Sequence, residues 1–453
     1  MTPAQQGHSD YETSTEVYLE LEKASPDQRR QILIQLMQSH PHGLLDLRLR
    51  PEHESDSSPL PLRSLRRGVH LESVDLQGFD LTRASLQSAI LRNAVINNVV
   101  LDKADLAGAD LAGANLREAS LRESNLRGAL LEDCDLQGAN LRFADLRGAT
   151  LEGANLTNAD LWGANLENAV LTNANLHGVT LHESNLENAD LSCADVRNTK
   201  ITAANMRGVN LRSADLRGSQ MRGVILKNAI LVETNLQSVN LNGCDLSYVH
   251  FARTWLEKTP LSLTQIGSAI GEDRSQDFEG AVQGYFALEK NFSELGDKNA
   301  SSWAYRKRRR MEKRFAAQQA RRSFQQRDWM KMFRWQAQYT ADLTVEWLCD
   351  YGESVPRVLA SLVVIYILFT VLYAVTGSVV WVSQTPGDAN RTSTPGFLDL
   401  AIFSLLAMTT SGNPAVGLEP SSVSVHLLTG TQALLGISLT GLLGYVLGNR
   451  IRR

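Results

Sequence analysis

The residues best placed to do chemistry stand near the carboxyl end, in the run Thr409-Thr410-Ser411-Gly412-Asn413-Pro414. The run follows Phe397 to Met408, twelve residues that are apolar except for Asp399 and Ser404, and too few to cross a bilayer as a helix. This predicts a re-entrant helix that delivers a polar, glycine-containing segment to membrane depth, where irregular backbone is tolerated only if it lines protein or water. The chemistry expected is therefore the lining of a path, not the making of bonds. Elsewhere the reactive side chains do not gather. Cys134, Cys193, Cys244 and Cys349 are scattered without metal-ligand or disulfide spacing, and His40, His42 and His53 lack Cys or acidic partners. No nucleophile-base set or phosphate loop is present, so neither an enzyme nor a resident cofactor or metal is expected.

Two long apolar runs flank the re-entrant segment. Val358 to Val382 and Val423 to Leu447 each hold 25 residues without a charge, about 37 Å as a helix and enough to span. Many Lys and Arg precede the first run and Arg450, Arg452 and Arg453 follow the second, whereas the connection between them carries Arg391 alone. The positive-inside rule then places both ends in the cytoplasm. Span, half-helix, Thr/Gly segment, span: in this layout residues 355 to 449 resemble the pore domain of two-transmembrane potassium-channel-like proteins. The resemblance implies four subunits around one pore, half-helices whose carboxyl ends favour a cation, and Thr409 to Pro414 as the filter for a permeant monovalent cation. Where that family has TVGYG, this chain has Thr410-Ser411-Gly412-Asn413-Pro414. Thr410 and Gly412 match, Asn413 replaces the bracing aromatic, and Pro414 restricts the backbone. A wider, non-selective cation filter is thus as much an expectation as a potassium filter. Gly436, Gly441, Gly444 and Gly448 run along the second span, where glycine serves either a gating bend or close packing.

Ahead of the spans lies a basic, helical stretch. Phe278, Val282, Tyr285, Phe286, Leu288, Phe292 and Leu295 share a helical face, Gly296-Asp297 breaks it, and a second helix is read from about Ser301 to Arg334. The pair resembles a single tetratricopeptide-type hairpin. The second helix carries Arg306-Lys307-Arg308-Arg309-Arg310 and further cations as far as Arg334, with only Glu312 and Asp328 as acids. Because Trp and Phe interleave with the cations toward the spans, the expected partner is membrane lipid, contacted by Arg327, Trp329, Lys331, Arg334 and Trp335, in preference to nucleic acid. A plain alternative is that the basic helix pairs with acidic residues of the amino-terminal half of its own chain or of a neighbouring subunit.

That half is built on a different period. From Leu71 to Phe251 an apolar residue, mostly Leu, recurs at every fifth position, 37 times in one register, and a small residue stands two before each. Period five keeps one face on neither a helix nor a flat strand, but it suits a solenoid with one unit per side of a square coil. The A(D/N)Lxx pattern resembles the pentapeptide-repeat family. It implies a right-handed quadrilateral β-helix of about nine coils, about 43 Å long at 4.8 Å per coil. Asn and Asp just before each Leu are expected to bond along the stack or to turn backbone. The outward positions mix Arg with Glu and Asp, the look of a solvated surface. A helix from Gln28 to Gln38 is expected to cover one end, followed by a Pro/Ser-rich linker over residues 50 to 64.

The domains read from this are an amino-terminal helical cap and linker (1–65), the β-helix (66–253), a basic amphipathic helical connector (254–354) and an α-helical two-span transmembrane pore domain with a re-entrant pore helix (355–453). The first thirty residues have no basic start followed by an apolar run, so no cleavable signal is expected. The chain is expected as a multi-pass protein of a bacterial plasma (inner) membrane, with both termini and the repeats cytoplasmic. Its expected function is a homo-oligomeric, tetrameric cation channel whose rod organises or gates the pore. The alternative is a membrane-anchored interaction scaffold with a non-conducting pore, for which an unidentified cytoplasmic protein is the expected partner.

Overall fold

The structure is a computed structural model that describes residues 20–21, 23–39, 69–352, 354–377, 379–381, 395–409 and 418–451. These form two compact units, Met1–Met311 and Glu312–Arg453.

In the first unit each five-residue repeat is one side of a coil. The apolar residue and the small residue two before it both point inward and are buried, as in Ala109–Leu111 and Ala154–Leu156, with the Asn or Asp between them facing out; at the first coil the half-buried Phe79 takes the small residue's place before Leu81. This is the period-two alternation of a very short strand. The two remaining residues turn the corner. The second of them has φ between +54° and +75° throughout the coils, and the turn closes on the Leu carbonyl, as when Ala84 N donates to Leu81 O at 2.9 Å. That is the arrangement of a type II turn, which favours Gly and Asn at its third position.

Every bridge is parallel and joins residue i to i+20, from His70↔Ile90 to Asn235↔Trp255. Four sides therefore make one coil, and pairing persists one unit beyond Phe251, with Leu256 also buried. The outward Asn and Asp side chains donate and accept, the carboxylates accepting only. Asn125, Asn155 and Asn205 donate to the residue one coil below at 2.9 Å, and Asn115, Asp110 and others accept from the next turn's backbone. Threonines in the small inward slot are satisfied, Thr234, Thr254 and Thr259 each donating to a carbonyl of the neighbouring coil at 2.6 Å, whereas the buried hydroxyl of Ser219 in the same slot finds no partner.

A solenoid exposes strand edges at its ends. Helix α1 (Pro26–Ser39) covers the first, with Leu33 buried, Arg29 Nη1 donating to Glu72 O at 3.0 Å and Arg30 paired with Asp75. At the other end stand α2 (Leu263–Ile266), α3 (Gly271–Arg274) and α4 (Phe278–Glu294). Leu246 N donates to Gln265 O (3.0 Å), Gly271 N to Val249 O (2.8 Å), and Ala252 N to the Glu272 carboxylate (2.6 Å), so the last coil's backbone is taken up by the cap. After a turn at Gly296, α5 (Lys298–Gln325) returns against α4, with Tyr285 and Trp303 edge to face at 5.6 Å and Arg308 Nε on Glu289 at 2.8 Å.

The second unit holds the end of α5, then α6 (Trp329–Cys349), α7 (Val355–Thr376), β1 (Val379–Trp381), α8 (Phe397–Thr409), β2 (Leu418–Pro420) and α9 (Val423–Ile451). The basic helix expected to continue to Arg334 is instead two helices. Arg327 takes φ +58°, and Asp328 caps α6 by accepting from Lys331 N at 3.1 Å, which stops one helix and starts the next. Helices α7 and α9 are long and apolar enough to cross a membrane. Strands β1 and β2 pair antiparallel, Val380 opposite Glu419.

Candidate functional site: a half-length helix between two span-length helices

Helix α8 has 13 residues and lies against both α7 and α9. It is apolar on every side, so its position is set by what its few polar atoms find. Ser404, completely buried, donates to Tyr366 O on α7 at 3.3 Å. Gln432 of α9, also completely buried, donates through Nε2 to Ser404 Oγ (2.8 Å) and Ser404 O (3.1 Å), while its Oε1 accepts from Tyr373 Oη of α7 at 2.8 Å. One carboxamide thus ties three helices together with both of its ends satisfied. Around it pack Phe369, Leu400, Phe403 and Val425, with Val379 and Leu418 from the two short strands. Tyr373 and Phe403 meet edge to face at 5.4 Å. At its start α8 is capped by its own Asp399, whose Oδ2 accepts from Gly396 N at 3.0 Å.

The four glycines of α9 divide. A Cβ on Gly436 would stand 2.3 Å from Met408 O and 3.0 Å from its carbon, so this glycine is what lets α9 touch the backbone of the last turn of α8. Gly441, Gly444 and Gly448 face nothing within 4 Å of such a Cβ. Thr409 ends α8, its hydroxyl donating back to Leu405 O at 3.0 Å. Thr410, Ser411, Gly412, Asn413 and Pro414 lie outside the described residues, as do the Pro/Ser linker and the three amino-terminal histidines. Large apolar side chains remain uncovered on all three helices, among them Leu368 on α7, Leu398 and Leu405 on α8, and Leu434 and Ile437 on α9.

Helices α5 and α6 form a hairpin within this unit. Lys313 pairs with Glu346, Phe315 meets Trp335 edge to face at 5.8 Å, and Phe324 meets Trp329 at 5.6 Å. Trp335 therefore sits in the seam of the hairpin and not with the exposed group. Arg327 lies in the turn, and Trp329, Lys331 and Arg334 are exposed on α6. Lys331 Nζ is 3.0 Å from Asp328, and its backbone and ammonium together hold that carboxyl below the usual range.

Sequence reasoning found α8 and its polar sequel but missed the Gln432 lock. The signal was present, since Gln432 is a primary amide inside an uncharged 25-residue run. It also missed an aromatic corner on the coils. Phe143, Trp162 and His182 fall on adjacent coils, with Arg142 over Trp162 at 4.1 Å and Trp162 against His182 at 5.3 Å. A 20-residue offset brings them together, and no five-residue window shows it.

Comparison with known proteins bears on the coils. The family model for pentapeptide repeats matches in eight copies over residues 67–228. Among solved structures, HetL from the cyanobacterium Nostoc sp. strain PCC 7120, described as a pentapeptide repeat protein involved in heterocyst differentiation regulation, is 30% identical. The match covers 42% of this chain and 86% of that one, with a TM-score of 0.32. QnrB1, a plasmid-mediated fluoroquinolone resistance protein, is 18% identical over 43% of this chain and 89% of that one, with a TM-score of 0.27. A pentapeptide repeat protein from the Arabidopsis thaliana thylakoid lumen is 25% identical over 32% and 80%, with a TM-score of 0.13. No curated protein matches. The repeats make the first unit a right-handed β-helix solenoid.

Proposed function

Taking as premise that the chain belongs to the pentapeptide-repeat family, we propose that it is a homo-oligomeric, tetrameric cation channel of a bacterial plasma membrane whose cytoplasmic β-helix organises or gates the pore. The observation that carries the reading is the seat of α8. A helix too short to span is held between two helices of spanning length by a fully satisfied buried amide and a backbone contact at Gly436. A loop that merely returned the chain would not need such anchoring. In this reading α8 is the re-entrant pore helix, and Thr409 to Pro414 form the filter for a monovalent cation. Gly441, Gly444 and Gly448, where an added Cβ would meet nothing within 4 Å, line the inner pore where a bend opens it. Gly436 is assigned to packing.

The test is single-channel recording from the purified protein in planar bilayers under potassium, sodium and chloride gradients, beside a Gly412→Asp variant. Discrete cation currents that change conductance or selectivity in the variant are expected. Silence from the parent under voltage, tension and pH changes would overturn the channel reading. Asn413 and Pro414, which depart from a potassium filter, favour a second reading, a membrane-anchored scaffold with a closed pore. Under that reading apolar replacement of Thr410 and Ser411 leaves assembly and partner binding intact and there is no current to lose.

A further inference from the structure

The break between α5 and α6 gathers charge and apolar surface at one elbow. Arg321, Arg322, Arg327, Lys331 and Arg334 are all exposed there, and the acid among them, Asp328, is engaged as a helix cap and by Lys331. On the same helix the large apolar side chains turn outward. Met330 is 86% exposed and Phe333 65%, with Trp329, Leu343 and Trp347 about half exposed. The inward positions of α6, Trp335, Asp342, Glu346 and Cys349, recur at the spacing of a single seam, Asp342 and Cys349 buried and Trp335 and Glu346 half-buried. Helix α6 thus keeps its acids Asp342 and Glu346 in the seam and turns large apolar side chains and the cations Lys331 and Arg334 outward, with Gln336, Gln338, Thr340 and Thr344 among them. Water is a poor partner for that outer face.

We propose that the outer face of α6 and its elbow rest on anionic lipid headgroups, the cations on phosphate and the apolar side chains at the acyl boundary. This rests on the membrane reading of α7 and α9 given above. Three features favour lipid as the occupant. The face is cationic, as a leaflet of anionic lipid demands. It is bounded by tryptophans at both ends, Trp329 and Trp347, the residue that settles at the interface. It is also tied directly to the start of a span-length helix, since Arg357 at the first turn of α7 donates to Glu346 O at 3.1 Å and Ser361 to Leu348 O at 3.3 Å. Trp335 has no part in this contact, being turned toward Phe315. A helix of 21 residues is about 31 Å long, so the proposal places Trp329 at headgroup level at a distance from the span.

The full chain is tested with an environment-sensitive label at Met330→Cys in a Cys193→Ser background, the other three cysteines being buried. A second sample carries the label at Leu368→Cys, 60% exposed on α7. Both are reconstituted in nanodiscs of phosphatidylcholine with or without phosphatidylglycerol, and quenching by brominated acyl chains is read. The label at 368 is expected to be quenched in both lipids. The label at 330 is expected to be quenched only with phosphatidylglycerol, and its lipid-bound equilibrium to fall about fivefold for each of Arg327, Lys331 and Arg334 neutralised to Gln. Failure at 368 sinks the membrane reading itself. Quenching at 368 but not at 330, or quenching at 330 indifferent to headgroup and to the three substitutions, overturns this proposal alone. A response of the label at 330 to added duplex DNA without lipid quenching would assign the face to nucleic acid and likewise overturn it. Quenching at 368 in the substituted proteins verifies that they have folded and inserted.

Discussion

The carboxylate that closes the last coil should make that end of the β-helix sensitive to pH. Glu272 is 1% exposed; its Oε1 accepts from Ala252 N at 2.6 Å, and its Oε2, without a hydrogen-bond partner, lies 4.0 Å from His250 Nδ1. Burial pushes its carboxyl up from 4.5 to about 7. A carboxyl whose folded value is raised contributes stability that is complete below pH 4.5 and is lost as pH rises to about 7, because the unfolded chain ionises first. At 1.36 kcal/mol per pH unit the loss has a ceiling of about 3 kcal/mol, and relaxation of the site brings it to about 2–3. His250 works in the opposite direction. Burial holds it below 6.5, so it favours the fold above that pH and opposes it below. The parent should therefore show the Glu272 fall reduced by His250 at the acid end. Hydrogen exchange of the segments 249–256 and 270–285 in the full chain, corrected for intrinsic rates, measures the opening. Protection should fall about 30- to 150-fold between pH 5 and 8, while Glu272→Gln, which still accepts from Ala252, should hold its protection at pH 8. If parent and variant lose protection in parallel over that range, the carboxyl is not the group that titrates and the argument fails.

At the aromatic corner, Gly163 has φ +65° and a Cβ there would lie 2.6 Å from the Phe143 ring. Gly163→Ala should cost about 1–2 kcal/mol in urea unfolding, and adding Phe143→Ala should recover the steric part but not the backbone part. In the second unit, Gly436→Val should release the end of α8 from α9, seen as faster amide hydrogen exchange of residues 405–409 in nanodiscs, whereas Gly441→Ala and Gly444→Ala should leave that exchange unchanged. Gln432→Leu removes both halves of the three-helix lock and leaves Ser404 and Tyr373 buried without it. The expected cost is about 1–3 kcal/mol in an unfolding titration from mixed micelles, and Gln432→Glu should be worse than Leu above neutral pH, since it buries a charge.

What could be read in the sequence, and what could not, follows from how far apart the cooperating residues stand. Leu111 and Ala109 report their own burial within one five-residue unit, so the coil and its inward pattern are legible from the spacing alone. The corner turns are less so, because Gly or Asn stands at many of the positive-φ positions but Arg83, Glu118, Phe143 and Tyr248 take the same conformation. Ends and junctions are another matter. Leu256 keeps the period and Trp255 still pairs, but Phe251 and Trp255 break the Leu and Asn/Asp pattern that marks the coils, so the last unit is hard to tell from the cap by spacing alone. Asp328 ends a helix that the cation run suggests is continuous, because a cap is one residue and a run is many, and the local hydrogen bond outweighs the propensity of its neighbours. The candidate site is the extreme case. Ser404 and Gln432 are 28 residues apart and Tyr373 is 59 from Gln432, and nothing in any one segment says that their polar atoms meet. An amide in an apolar run can be read only as a demand for a partner; which partner answers is decided by the packing of three helices. The same logic separates Gly436 from Gly441, Gly444 and Gly448, which the sequence presents as one series and the packing divides.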